Sequence, residues 1–289
     1  MKKFLLIGIL ALTAQFICGQ ESQEEVKPWN LNGVAGINMS QVSFSNWAAG
    51  GENAVAFDIT MGYSANYLKD KNMWNNRLEF AYGLNNTKTN GSRKTNDKIY
   101  LSSMYGHQLS EKLYLSYALT FESQFADGFD YNATPSKLIS SFMAPAYLTT
   151  GPGLTWKASS WLTATFAPAM YKATFVLDDR LSGNYGVEIG KNMRHEFGGN
   201  LLVELQKELM TNITLYSRLN LFSNYLSKPQ NIDIKWDNQI SFKINKWFSA
   251  LLQVNMIYDD DIKFENTDGT KTPKFQFKEV LGIGIQVTF

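Results

Sequence analysis

From Val55 the chain alternates: Val55, Phe57, Ile59, Met61, Tyr63, Ala65 and Tyr67 take the odd positions, and Ala56, Asp58, Thr60, Gly62, Ser64 and Asn66 the even ones. Side chains of an extended strand point to opposite faces in turn, so a period of two writes one apolar and one polar face into the same segment. The pattern returns with Trp74, Leu78, Phe80, Tyr82 and Leu84 against Arg77, Glu79, Gly83 and Asn85, and with Leu113, Leu115, Tyr117, Leu119, Phe121 and Phe125 against Ser116, Thr120, Glu122 and Gln124. Phe197, Leu201, Val203 and Leu205 oppose Glu196, Asn200, Glu204 and Gln206. Ile232, Ile234, Trp236, Ile240, Phe242 and Ile244 oppose Asp233, Lys235, Asp237, Gln239 and Lys243. Segments of this kind number about twelve, each near the roughly ten residues that a tilted transmembrane strand needs.

The connections separate a soluble sandwich from a membrane barrel. Read in order they are long at 43–53, short at 68–73, long at 87–97, short at 110–112, long at 126–142, short at 157–160, long at 176–195, short at 207–210, medium at 224–231, short at 245–246 and long at 259–273. A sandwich has no reason to gather its long loops at one end, whereas an outer-membrane barrel has short periplasmic turns and long external loops. The expected fold is therefore all-β: an antiparallel up-and-down transmembrane barrel with both termini in the periplasm. Trp74, Tyr114, Trp161 and Trp247 follow the short turns closely, as an aromatic girdle at one membrane interface would. The final strand, LGIGIQVTF, ends in Phe289 and resembles the signal read by the barrel assembly machinery.

The first residues fit this address. MKKFLLIGILALTAQFICGQ has two lysines, an apolar run and small residues at its end, the three regions of a secretory signal. The expected division is a signal over 1–19, a periplasmic leader over 20–28 and the barrel over 29–289. Cys18, the one cysteine, falls inside the signal, so no disulfide or thiol chemistry is expected of the mature protein. A formal net charge of +1 gives no reason to expect a nucleic-acid partner.

Three stretches carry a resemblance: SFSNWAAGGEN at 43–53, FMAPAYLTTGPGL at 142–154, and LDDRLS with YGVEIGKNMRHEFG within 177–198. In these the chain resembles a family of Bacteroidota outer-membrane proteins known only as a domain of unknown function. The resemblance implies one outer-membrane barrel domain and supplies no catalytic residue. Pro152 departs from it and puts the register of one strand in question.

Candidate functional residues fall in two places. The polar face, turned to the lumen, carries Asp58, Arg77, Glu79, Glu122, Glu204, Arg218, Lys235, Asp237 and Lys243, joined by Glu196, Asp233 and Lys278. Arg77 and Glu79 are neighbours on one inward face, and Lys235 lies between Asp233 and Asp237, so local pairing is expected. In the external loops, Gly50 and Gly51 close a turn through positive φ, beside Glu52 and a Trp47 that is expected to fold back over the mouth. Asp178, Asp179 and Arg180 mark a second loop. No enzyme is expected: His107 and His195 fall at opposite ends of the barrel, and YDDDIKFENTDG at 258–269 lacks the ligand spacing of a calcium loop. No cofactor or metal is expected. Partners are outer-membrane lipid, the assembly machinery during biogenesis, and either a small solute or a protein. Acids and bases mixed on the inner face suit a narrow pore or uptake channel for small solutes; the alternative is a plugged barrel anchoring a secretion or assembly complex.

Overall fold

The computed structural model describes residues 27–43, 53–131, 133–266 and 268–289. Its strands are β1 (Trp29–Val42), β2 (Ala54–Lys69), β3 (Asn72–Thr87), β4 (Gly91–Ser110), β5 (Leu113–Ser123), β6 (Gly128–Asp130), β7 (Lys137–Ser140), β8 (Ala146–Ser159), β9 (Leu162–Phe175), β10 (Met193–Met210), β11 (Ile213–Asn224), β12 (Ile232–Lys243), β13 (Phe248–Tyr258), β14 (Lys263–Glu265), β15 (Lys271–Pro273) and β16 (Gln276–Thr288). Twelve of them close into one barrel in the order β1-β16-β13-β12-β11-β10-β9-β8-β5-β4-β3-β2, and β6–β7 and β14–β15 are separate two-stranded hairpins. Every neighbouring pair in the barrel is antiparallel, as short turns between consecutive strands require. Closure is made by Val34 to Asn38 of β1 against Thr288 to Gly284 of β16, and Gly33 and Phe289 exchange backbone bonds of 2.6 and 2.9 Å below them. Both described termini lie at the end of the short turns.

The connections keep the expected asymmetry with one correction. Residues 70–71, 111–112, 160–161, 211–212 and 244–247 join strands at one end; 43–53, 124–145, 176–192, 225–231 and 259–275 join them at the other. The expected long loop at 87–97 is instead a tight turn at 88–90, because β3 and β4 continue past the apolar belt as a polar hairpin in which Asn85, Asn86 and Thr87 pair with Arg93, Ser92 and Gly91. A ladder standing in water needs no apolar face, so its sequence looks like a loop. The expected turn at 207–210 is likewise displaced, since β10 runs on to Met210.

The outer surface is apolar. Val55, Phe57, Ile59, Met61, Leu115, Tyr117, Leu281, Ile283 and Ile285 are exposed on the register assigned to the greasy face. In a closed barrel no strand edge is left over, so the backbone can cross hydrocarbon with its polar groups paired. Trp29 packs against Tyr67 and Trp74 with ring centroids 5.2 and 5.8 Å apart, and Trp74, Trp161 and Trp247 are exposed near the short turns as a girdle requires. Tyr114 is not part of it. Leu113 and Leu115 take the outward register, so Tyr114 between them points in and is only 7% exposed. Pro152 keeps its place opposite Tyr117 on the β5 side, while the pairing of β8 with β9 breaks between Thr150 and Leu154, where the missing N–H cannot serve the ladder.

Candidate functional site

The inward residues at mid-height meet across the lumen. Glu79 on β3 accepts an ion pair from Arg77 on its own strand and one from Lys98 of β4 at 2.6 Å, and lies 3.8 Å from the Arg218 guanidinium of β11. Five strands separate β3 from β11 in either direction around the barrel, so this contact joins opposite walls. Arg218 also donates to Asp237 at 2.8 Å and stacks on the Tyr100 ring at 4.2 Å. Arg77 lies 4.4 Å over the ring of Tyr216, whose hydroxyl donates to Glu204. A second strut runs from Lys235 on β12 to Glu122 on β5, across four intervening strands. Together these form a charged partition through the barrel. Arg218, at 4% exposure, is its most enclosed cation.

Between the partition and the long loops lies a cavity of about 270 Å³. Its floor carries Glu122, Arg218, Lys235 and Asp237, and its walls include Tyr147, Leu202, Phe222 and Ile257. Tyr185, Asp259 and Ile262 close on it from the loops. Lys172 beside it is held by Asp233 at 2.9 Å and Glu196 at 3.4 Å, and Glu196 also takes Arg194 at 2.6 Å. The loops above pack on one another. Ala144, Val176, Leu181 and Val187 form a small apolar cluster with Leu138 and Tyr185 against it, and the Tyr185 hydroxyl donates to the Ile139 carbonyl at 2.5 Å. Burial pushes that phenol up to about 12.

The predicted lumen residues are brought together with three exceptions, Asp58, Lys278 and Lys243. Asp58 sits apart from the partition and accepts from Asn96 at 2.9 Å, and Lys278 donates to the same Asn96 at 2.8 Å across three intervening strands. Lys243 ends β12 near the short turns, exposed. Local pairing holds for Arg77 and Glu79 and fails for Lys235, whose side chain reaches Glu122 while Asp233 turns to Lys172 and Asp237 to Arg218. Lys235 instead spans the lumen, because a partner on the facing wall is within reach of its long side chain. Tyr100, Tyr147, Lys172 and Tyr216 were not anticipated. Lys172 escaped because the β9–β10 register shifts between Gly198 and Asn200, which swaps inward and outward positions along β9 above Ala167.

In the loops, Asp178 caps the 3₁₀ turn Asp179–Leu181 and grips Arg180 at 2.6 Å, and Arg180 also approaches Asp127 at 3.5 Å. The Arg180 partnership holds the Asp178 carboxyl down to about 2. Asp179 is exposed in that turn. Trp47, Gly50, Gly51 and Glu52 lie outside the described residues, as do the expected signal and most of the leader. His107 bonds Asn72 near the short turns and His195 bonds Tyr171 near the long loops, both on the outer face and at opposite ends. Asp260 and Asp261 spend their carboxylates on Asn231 and Arg194, each at 2.7 Å. Among the described residues no three acids or histidines are grouped to hold a metal.

A family model for a protein of unknown function, DUF3078, matches residues 39–129. No curated protein matches the sequence. Among solved structures, the chain is similar to the translocator domain of the autotransporter NalP from Neisseria meningitidis, at 10% identity over 90% of this chain and 87% of that one with a TM-score of 0.38. It is similar also to an outer membrane channel from Pseudomonas putida F1, at 9% identity over 95% of this chain and 100% of that one with a TM-score of 0.40. The toluene transporter TodX of P. putida matches at 9% identity over 90% and 89% of the two chains with a TM-score of 0.29. The closed antiparallel barrel with an apolar belt makes this a bacterial outer-membrane protein on its own geometry.

Proposed function

We propose that the protein is a non-enzymatic, gated uptake channel: a small solute enters the cavity beneath the external loops and passes only when the charged partition parts. The observation that supports this reading is the contact of opposite walls through Arg218 and Glu79 directly below a cavity bordered by the long loops. An open pore would leave these side chains in separate water, and a barrel serving only as an anchor would have no need of a chamber above its plug. The packed external loops, with Phe142, Leu177 and Ile189 exposed, favour the second reading, an adapter that recruits a protein.

Planar-bilayer recording separates the two. The native barrel is expected to show no steady current, and a Glu79→Gln, Arg218→Gln pair to raise ion flow at least tenfold. Silence from a pair that still folds, as judged by its shifted migration on an unheated gel, would refute the channel and favour the adapter. A steadily conducting native barrel would refute a closed resting state.

A further inference from the structure

We propose that the cavity selects a small organic monocation with an apolar or aromatic body; this rests on the uptake reading above and names its solute class. Seven charged side chains line the cavity: Lys172, Arg218 and Lys235 against Glu122, Asp233, Asp237 and Asp259. Each cation is already committed, Lys172 to Asp233, Arg218 to Asp237 and Lys235 to Glu122. Asp259 remains. Among the described residues its carboxylate forms no direct ion pair, feels Lys172 only from beyond that range, and accepts the backbone N–H of Asp261 at 2.8 Å. The lining thus carries one negative charge in surplus, placed at the outer end of the chamber where a solute would arrive.

The walls complete the recognition. Tyr147, Tyr185 and Phe222 line the chamber, the Phe222 ring with the Lys172 ammonium 4.8 Å from its centre, and Ile257 and Ile262 add aliphatic surface. The Tyr185 hydroxyl is spent on Ile139, which leaves its ring as the available surface. An alkylammonium is attracted to aromatic faces and to the carboxylate together, whereas an anion would face the surplus charge and a neutral solute would gain only from the walls. Pockets that hold small molecules are apolar with a few polar groups that fix orientation, and Asp259 is the group that supplies both orientation and sign here. The volume, about 270 Å³, suits one ring with its ammonium group.

The test is titration calorimetry on the full barrel in neutral detergent with three probes of one shape class: benzyltrimethylammonium, benzyl alcohol and benzoate. The cation is expected to bind at least tenfold tighter than either of the others, and Asp259→Asn to remove that preference while leaving binding of the alcohol unchanged. Tyr185→Ala should weaken the cation in the intact Asp259 background, with Tyr185→Phe restoring it. Benzoate or the alcohol binding as well as the cation would overturn the charge assignment and leave the chamber standing as a solute site. Cation binding that is untouched by Asp259→Asn would overturn it also. If none of the probes binds, the chamber is not a solute site and the uptake reading fails with it.

Discussion

Replacing Arg218 by alanine removes the most enclosed of the side chains that join the two walls of the partition. Its guanidinium is bonded to Asp237, lies near Glu79 and covers Tyr100. Glu79 would keep Arg77 and Lys98, so its loss is small. Asp237 would keep only the neutral amide of Asn255 at 2.7 Å among its direct hydrogen-bond partners. Removing one member of an enclosed pair costs about 3–5 kcal/mol, and the lost ring contact about 0.5–2 kcal/mol more, whereas a pair in open water is worth about 0–1 kcal/mol. With Arg218 at 4% exposure the enclosed case applies, and allowing for water entering the space vacated, the expected loss is about 3 kcal/mol. Equilibrium unfolding in urea, followed by tryptophan fluorescence in lipid vesicles, measures it. A double-mutant cycle with Asp237→Asn should show coupling of about 1–3 kcal/mol, since neutralising the acid removes most of the penalty. Arg218→Ala unfolding within about 0.5 kcal/mol of the native barrel would mean the partition is already wet, and the enclosed-pair reasoning would be wrong.

Gly198→Ala should destabilise the barrel by about 1–3 kcal/mol, because its methyl would stand 1.9 Å from the backbone oxygen of Ser223 on the neighbouring strand, and a lower urea midpoint would show it. Asp178 should titrate near 2: its folded value is depressed, so its contribution to holding the loop is full above the ordinary carboxylate value and is lost as pH falls through about 2. Carboxyl carbon shifts would reveal an error if Asp178 titrated with ordinary carboxylates, and Arg180→Ala should return it to that range. Tyr185 should stay un-ionised until pH approaches 12, which differential ultraviolet titration against Tyr185→Phe would detect. A short tag near Asp268 should be labelled on intact cells and one at Lys69 to Lys71 only after permeabilisation; reversed labelling would invert the barrel.

The alternation that made the fold legible is a local property, since one strand shows its own faces. Asp58, Arg77, Glu122 and Arg218 could therefore be assigned inward from parity alone. What parity cannot supply is which inward residue meets which, because Lys235 and Glu122 become neighbours only when the last strand closes on the first. Parity also fails where the strand itself is irregular: the extra residue of β9 between Ala167 and Met170, opposite Gly199, hid Lys172. Turn-based reasoning misplaced Tyr114 because it used distance from the turn without asking which face Leu113 and Leu115 had already claimed. The hairpin tip at 88–90 was hidden for a different reason, as strands beyond the lipid carry no greasy face to reveal them.

At the waist the charges cancel: Arg77, Lys98, Arg218 and Lys235 stand against Glu79, Glu122, Glu204 and Asp237. A neutral waist has no ionic preference of its own, so in the proposed channel selection would fall to the chamber above, where Asp259 is in surplus. It also bears on how the partition could part. Separating several enclosed pairs one after another at about 3–5 kcal/mol each would lie far beyond what a small solute can supply by binding. Once water enters, each pair is worth about 0–1 kcal/mol, and the same ions can be parted with little loss. In the proposed channel, opening would therefore begin with hydration of the chamber floor rather than with the breaking of any one bond. On that proposal Arg218, enclosed between Tyr100 and Asp237, is the group that water would have to reach first.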